Sequence, residues 1–304
     1  MILVLGDILL DKFLLNKYEK QSPEAKIPIV KPIKTITRLG GAANLINNIN
    51  SLNRNCFLIS RIGHETSDRE LITLLNKRKI KYKLFYQKNF SVGKKSRLYI
   101  DKKQIFRIDD EKIINLSRII EYKIINFIKK NISKYSMLVI SDYNKGVINS
   151  NIFKKITNIF LKQGKLVITN PKKNKISFYN GSNIIIPNEK EFNKFFNSKT
   201  SLKNKVKIFF SSKFLEHLII TRGKKSLIHF TRKNKFFYNV NKVKTFDVTG
   251  ASDTFVALLS INLFIKNKIE KSIKISIEGA TKVVQKKYTS TISKREYSKI
   301  EKSL

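Results

Sequence analysis

Short apolar, β-branched runs alternate along this chain with longer stretches in which apolar residues recur at helical spacing. That alternation predicts an α/β sheet, because brief buried runs suit strands and a three-to-four-residue period suits helices packed on them. Ile2–Leu5 predicts a first strand closed by Gly6-Asp7, and Gly40-Gly41-Ala42-Ala43-Asn44 opens a helix to about Leu52. Strand Cys56–Ser60 and helix Glu70–Arg78 follow. Residues 81–107 read as strand, with turn material at Ser91–Gly93 and Asp101–Lys103. Helix Ile119–Ile132 leads to a central strand, Met137–Ser141, and helix Ser150–Leu161 to strand Leu166–Thr169. Ile184–Ile186, stopped by Pro187, and Leu218–Thr221, ended by Arg222-Gly223, are further strands. Ser226–Phe230 and Lys235–Val240 predict a hairpin around Lys233-Asn234. Gly250–Ile265 and Lys271–Val284 predict buried helices. No repeat or low-complexity linker divides the chain, so one α/β domain over residues 1–304 is expected. Residues 10–37 and 81–109 are spare for a small β accessory layer.

Polar residues stand just after the strands: Asp7, Asp142, Asn170, Asn188 and Arg222. Ligands of open α/β sheets bind beyond the carboxyl ends of the strands, so a site assembled from these residues is expected.

Composition narrows the field. In 304 residues, 62 Lys+Arg stand against 22 Asp+Glu, a net charge of +40. One cysteine, Cys56, excludes an internal disulfide framework and any Cys-cluster metal site, and it is expected to pack inside a strand. Three scattered histidines make a His-based metal site a poor reading. No run approaches a membrane span, and Asp7 interrupts an N-terminus without a basic leader, so a cytoplasmic protein with no signal peptide is expected. The charge admits two readings. Lys, Asn and Ile crowd every region, as compositional drift toward A/T-rich codons would produce, and charge runs are usually solvated faces. A nucleic-acid-binding protein is the alternative, with clusters at Lys172–Lys175 and Lys282…Lys286-Lys287 but no helix-turn-helix, RNP or zinc-finger pattern. The charge also suits attraction of phosphorylated substrates.

No G-x-x-x-x-G-K-[ST] loop occurs, and no G-x-G-x-x-G follows a strand. The strongest local signal is Asp247-Val-Thr-Gly-Ala-Ser-Asp-Thr-Phe255. Gly250, Ala251 and Ser252 immediately precede an apolar helix, so their N–H groups can form an anion hole at a helix N-terminus. Asp253 then stands beside that hole, either as a helix-start cap or as a base accepting the proton of an attacking hydroxyl.

Asp247-x-Thr-Gly-Ala-Ser-Asp253 resembles the second signature of the ribokinase/PfkB sugar-kinase family, whose usual core is Gly-Ala-Gly-Asp, and Gly40–Asn44 resembles the first. The N-terminal run is more similar still to bacterial D-glycero-β-D-manno-heptose-7-phosphate kinases. The matching words are Gly6-Asp-Ile-Leu-Leu-Asp11, Ser22-Pro-Glu-Ala25 with Pro28-Ile-Val30, Arg97…Arg107-Ile-Asp109 and Ser141-Asp-Tyr-Asn-Lys-Gly146. Pro187-Asn-Glu-Lys-Glu191 and Thr221-Arg222 continue them in order, so the resemblance spans about Ile2 to Ile292.

The resemblance implies a ribokinase-like three-layer sandwich with a mostly parallel central sheet and a small β lid. It implies ATP-dependent phosphorylation of the anomeric hydroxyl of D-glycero-D-manno-heptose 7-phosphate to the 1,7-bisphosphate, feeding ADP-heptose and lipopolysaccharide core synthesis. Asp253 is then the base. Asp11, Gly40, Gly41, Asn44, Asp142 and Lys145 form the sugar pocket, and Arg97 and Arg107 grip the existing phosphate with bidentate forks. ATP falls to Asn170, Lys172, Asn188, Glu191, Thr221 and Gly223. Magnesium lies near Asn188 and Glu191, acting through water. Asp247 and Thr249 match a monovalent-cation loop, with potassium the ion implied. A homodimer through the lid is a family-level expectation, and adenylylation is expected from a separate enzyme, since no nucleotidyltransferase domain is expected in residues 1–304. Three departures stand out. Ser252 replaces a glycine, Asn170-Pro-Lys replaces Asp-Pro-Lys, and Gln285-Lys-Lys-Tyr-Thr289 replaces a Gly-x-x-Gly-Thr-like segment. Another sugar or phosphosugar kinase and a noncatalytic relative are the readings these departures leave open.

Overall fold

β1 (Ile2–Gly6) is buried along its whole length, as a strand covered on both faces by helices must be. In the computed structural model, which describes residues 1–173, 175–196 and 200–304, the chain runs straight on into β2 (Ile8–Gln21) and returns as β3 (Pro28–Gly41). α1 (Ala42–Ser51), β4 (Cys56–Ile62), α2 (Thr66–Lys77) and β5 (Tyr82–Tyr86) follow, then β6 (Gly93–Ile100) and β7 (Lys103–Asp110). α3 (Arg118–Asn131) and α4 (Ser150–Leu161) flank β8 (Met137–Ser141). β9 (Leu166–Asn170), β10 (Ile184–Ile185), α5 (Glu189–Lys194), α6 (Leu202–Phe209) and β11 (His217–Ile220) come next. The hairpin β12 (Leu227–Phe230) and β13 (Lys235–Tyr238) precedes α7 (Ala251–Phe264), α8 (Ile269–Val283) and α9 (Lys294–Lys302). Asn174, within the basic run 172–175, lies outside the described residues.

The central sheet has the order β13-β12-β11-β10-β9-β8-β1-β4-β5. It is parallel from β5 to β11, and β12 and β13 add antiparallel. Side chains of successive strand residues point to opposite faces. Ile2, Val4, Met137 and Val139 therefore enter one core with α1, α2, α7, α8 and α9. Leu3, Leu5, Leu138 and Ile140 enter the other with α3, α4, α5 and α6. The three-layer α/β sandwich is the expected fold class. Cys56 is buried on β4. No described helix is long and apolar enough to cross a membrane.

A second sheet, β3-β2-β6-β7, stands off the first and hangs directly on the central strand β1. One expectation is corrected here. Residues 82–86, assigned to the lid, pair with β4 at the edge of the central sheet. Tyr82 and Leu84 pack on one core and Phe85 on the other, so this strand is enclosed between helices rather than free to serve a lid. Helices α5, α6 and α9 escaped the periodicity reading because, at six, eight and nine residues, each is too short to repeat its apolar spacing.

Candidate active site

Gly250 takes the left-handed conformation at φ 83° and launches α7 with no side chain capping its first turn. An added Cβ there would stand 2.8 Å from Asn44 Nδ2. Of the three expected anion-hole amides, that of Ala251 is already engaged, donating to the Val248 carbonyl at 3.3 Å. Ser252 lies inside the helix, outside the positive-φ positions, so this loop demands no glycine at residue 252.

Asp253 is 3% exposed. Its Oδ2 accepts from Asn44 Nδ2 and its Oδ1 from the Tyr143 hydroxyl, each at 2.7 Å. Burial pushes its carboxyl up to about 6, against the pull of those two donors. Behind it, Asn48 Nδ2 donates to the Asn44 carbonyl at 3.0 Å and Thr254 Oγ1 to Asn48 Oδ1 at 3.1 Å. A carboxylate so placed is well matched to accept a proton near neutral pH.

On the lid side, Asp11 sits beside Gly40, bonded to Arg97 Nη1 at 2.8 Å and to Thr289 Oγ1 at 3.0 Å. The expected arginine pair is corrected. Arg97 is buried and committed to Asp11, whereas Arg107 lies on exposed β7 and pairs with Asp109 at 2.7 Å. The two are register partners, but each guanidinium is paired with a different carboxylate, one buried and one exposed. Gly41, at φ 61°, caps α1, and a Cβ there would meet the Asp7 carbonyl at 2.5 Å.

Asp142, expected in the sugar pocket, spends its oxygens on the Tyr179 hydroxyl at 2.8 Å and the Asn144 N–H at 2.7 Å. Burial and the neighbouring Asp7 push it up to about 6. Its visible role is to shape the loop at residues 141–146. Lys145 Nζ pairs with buried Glu111, which Lys95 also approaches at 3.0 Å. Asp7 anchors the same loop, accepting from the N–H groups of Tyr143 and Lys145 at 3.0 Å and of Val147 at 2.9 Å.

On the other side of α7 lies a cavity of about 300 Å³, mostly apolar, with Thr221, Gly223, Ser252, Phe255, Ala280 and Val284 in its wall. Asn188 bridges Thr221. The Asn188–Glu191 pair forms the α5 capping box at 2.9 Å each way, and Glu191 Oε1 also takes Lys172 Nζ at 2.7 Å. Asn170, at the end of β9, accepts from the Asp142 N–H through its carbonyl at 3.1 Å. Among the described residues, no group of three or more His, Cys, Asp or Glu could hold a metal ion. With their oxygens engaged, Asn188 and Glu191 fit a hydrated magnesium only through water. Asp247 is different. Its Oδ1 accepts from the Thr249 N–H at 2.9 Å, while its buried Oδ2 has no partner among the described residues, which fits a monovalent cation.

The family model for pfkB carbohydrate kinases matches residues 2–295. The chain belongs to that family. It is a carbohydrate kinase, an enzyme that transfers phosphate to a hydroxyl group of a sugar. It is 34% identical to the bifunctional protein HldE of Aliarcobacter butzleri and 32% identical to that of Sulfurimonas denitrificans, each across 100% of this chain and 64% of the relative. The chain thus spans less than two-thirds of the length of these relatives. Among solved structures, phosphofructokinase-2 from Escherichia coli in complex with potassium superposes with a TM-score of 0.78 at 16% identity, covering 100% of this chain and 98% of that one. Ribokinase from Thermotoga maritima gives 0.76 at 18% identity, covering 99% of each. The fold of this kinase is therefore ribokinase-like. Three contact residues were not singled out by the sequence: Tyr143, Glu111 and Thr289. Tyr143 stood inside the quoted Ser141–Gly146 word, whereas nothing local to Glu111 marks it.

Proposed function

We propose that this kinase transfers the γ-phosphoryl group of ATP to the anomeric hydroxyl of D-glycero-D-manno-heptose 7-phosphate, giving the 1,7-bisphosphate. The observation that carries the chemistry is Asp253, buried between Asn44 and Tyr143 at the uncapped start of α7. Asp253 takes the hydroxyl proton, and the Gly250 and Ser252 amides meet charge developing on the transferred group. The apolar cavity beyond Ser252 accommodates the nucleotide base. Magnesium, when bound, would neutralise phosphate charge, with Asn188 and Glu191 reaching it through water. Asp247 and Thr249 would hold potassium. The heptose reading rests on the ordered resemblance from Gly6 to Arg222, and the kinship to HldE proteins supports it. A homodimer through the lid is part of the same proposal, favoured by Ile105, Phe106 and Ile108 half-exposed on β7.

A coupled ADP assay across phosphosugars tests the reading. Heptose 7-phosphate should give the highest kcat/KM, and Asp253→Asn should lower turnover by about 10²–10⁴-fold. A preference for another sugar would replace the substrate, and near-wild-type turnover of Asp253→Asn would remove the base.

A further inference from the structure

We propose that Tyr143 is a positioning residue, holding the Asp253 carboxylate toward the acceptor hydroxyl and coupling it to the loop at residues 141–146. The inference rests on Asp253 as base. A carboxylate oxygen has two lone pairs. With Oδ1 on Tyr143 and Oδ2 on Asn44, the group cannot turn about its Cβ–Cγ bond, yet each oxygen keeps a lone pair for the substrate. The frame behind Tyr143 is itself fixed. Its N–H donates to Asp7 Oδ2 at 3.0 Å, Asp7 binds two further amides of the same segment, and Asn144 turns the chain at φ 56°. A loop shift on sugar binding would therefore move the base with it. Burial and the adjacent Asp253 raise the Tyr143 phenol well above its ordinary value, so it stays a donor and does not compete for the proton.

The charges facing this pair come from four elements. Asp11 lies on β2, Lys172 follows β9, Glu191 lies on α5, and Asp142 and Lys145 flank the tyrosine in its loop. Tyr143→Phe leaves all of them and the ring in place and removes a single donor to the ionised carboxylate.

In Tyr143→Phe, the Asp253 carboxyl, followed by carbon NMR and identified with Asp253→Asn, should titrate about one pH unit higher. The acid limb of kcat should move the same way and plateau kcat should fall about tenfold, with KM for ATP within roughly twofold. Thermal unfolding checks that the variant is folded. An unchanged carboxyl titration in the folded variant overturns the proposal, and so does a fall in kcat with an unmoved acid limb. A shifted titration in Tyr143→Phe, where the wild-type chain phosphorylates no sugar, upholds the contact and overturns the function.

Discussion

Asp11 and Arg97 form a buried ion pair across the parallel strands β2 and β6, Oδ1 to Nη1 2.8 Å, with side chains 8% and 7% exposed. The Arg97 guanidinium also lies 5.2 Å from the Phe13 ring centroid. Removing one partner of such a pair leaves a charge without compensation, a cost of about 3–5 kcal/mol. Arg97→Ala should destabilise the chain by that order. Arg107→Ala, whose side chain is half exposed beside Asp109, should stay within about 0.5 kcal/mol. Urea unfolding of the two variants checks this, and equal effects would contradict the assignment.

Gly250 and Ser252 should respond very unequally. Gly250→Ala forces a side chain into a left-handed conformation, roughly 1–2 kcal/mol, and drives a Cβ to 2.8 Å from Asn44 Nδ2. Asn44 then leaves Asp253, and kcat should fall about a hundredfold. Ser252→Gly should change kcat by less than about tenfold, some 1.4 kcal/mol of barrier, because Ser252 is already ordinary helix. A much larger gain from Ser252→Gly would mark the natural chain as a crippled kinase.

The central strands and the helix at Gly250 were legible because their information is local. Four consecutive apolar residues at Ile2–Leu5, stopped at once by Gly6-Asp7, suit a short doubly covered strand, and small residues ahead of an apolar run announce an open helix start. What pairs with what was not legible. Arg97 and Arg107 stand ten residues apart in one motif and meet different surroundings, since β7 is an edge strand and β6 is not. Asn188 and Glu191 read as ligands, although the same spacing makes the capping box seen here. Asp11 and Thr289 lie at opposite ends of the chain, and only the folded topology brings them together.

That last contact answers the departure at residues 285–289. Tyr288, at φ 63°, packs on Phe13 with ring centroids 4.8 Å apart, and Thr289 bonds Asp11. The altered segment therefore closes against the lid. Thr289→Val should raise KM for the sugar about three- to tenfold, the worth of one hydrogen bond, while Thr289→Ser should keep it. Steady-state kinetics at fixed ATP checks the pair, and equal KM values for both variants would place Thr289 outside substrate binding.

Acid should weaken the far edge of the central sheet through two histidines. His217 Nδ1 and His229 Nε2 lie 2.9 Å apart on β11 and β12, and His229 is fully buried against Phe236. Burial, then the neighbouring His217, pushes His229 down to about 4, and burial lowers His217 too. Both folded values lie below the unfolded one of about 6.5. The unfolded chain thus binds more protons as pH falls, so stability is lost from about pH 6.5 downward, and the His229 share levels off below about 4. Between pH 7 and pH 5 that share is roughly 2 kcal/mol. Asp142 and Asp253, raised by burial, act in the opposite sense, so the comparison must be between chains that keep both. His229→Phe should lose the acid-side decline that wild type shows in urea unfolding at pH 7 and pH 5. Identical declines in the two proteins would remove the histidine pair as the cause.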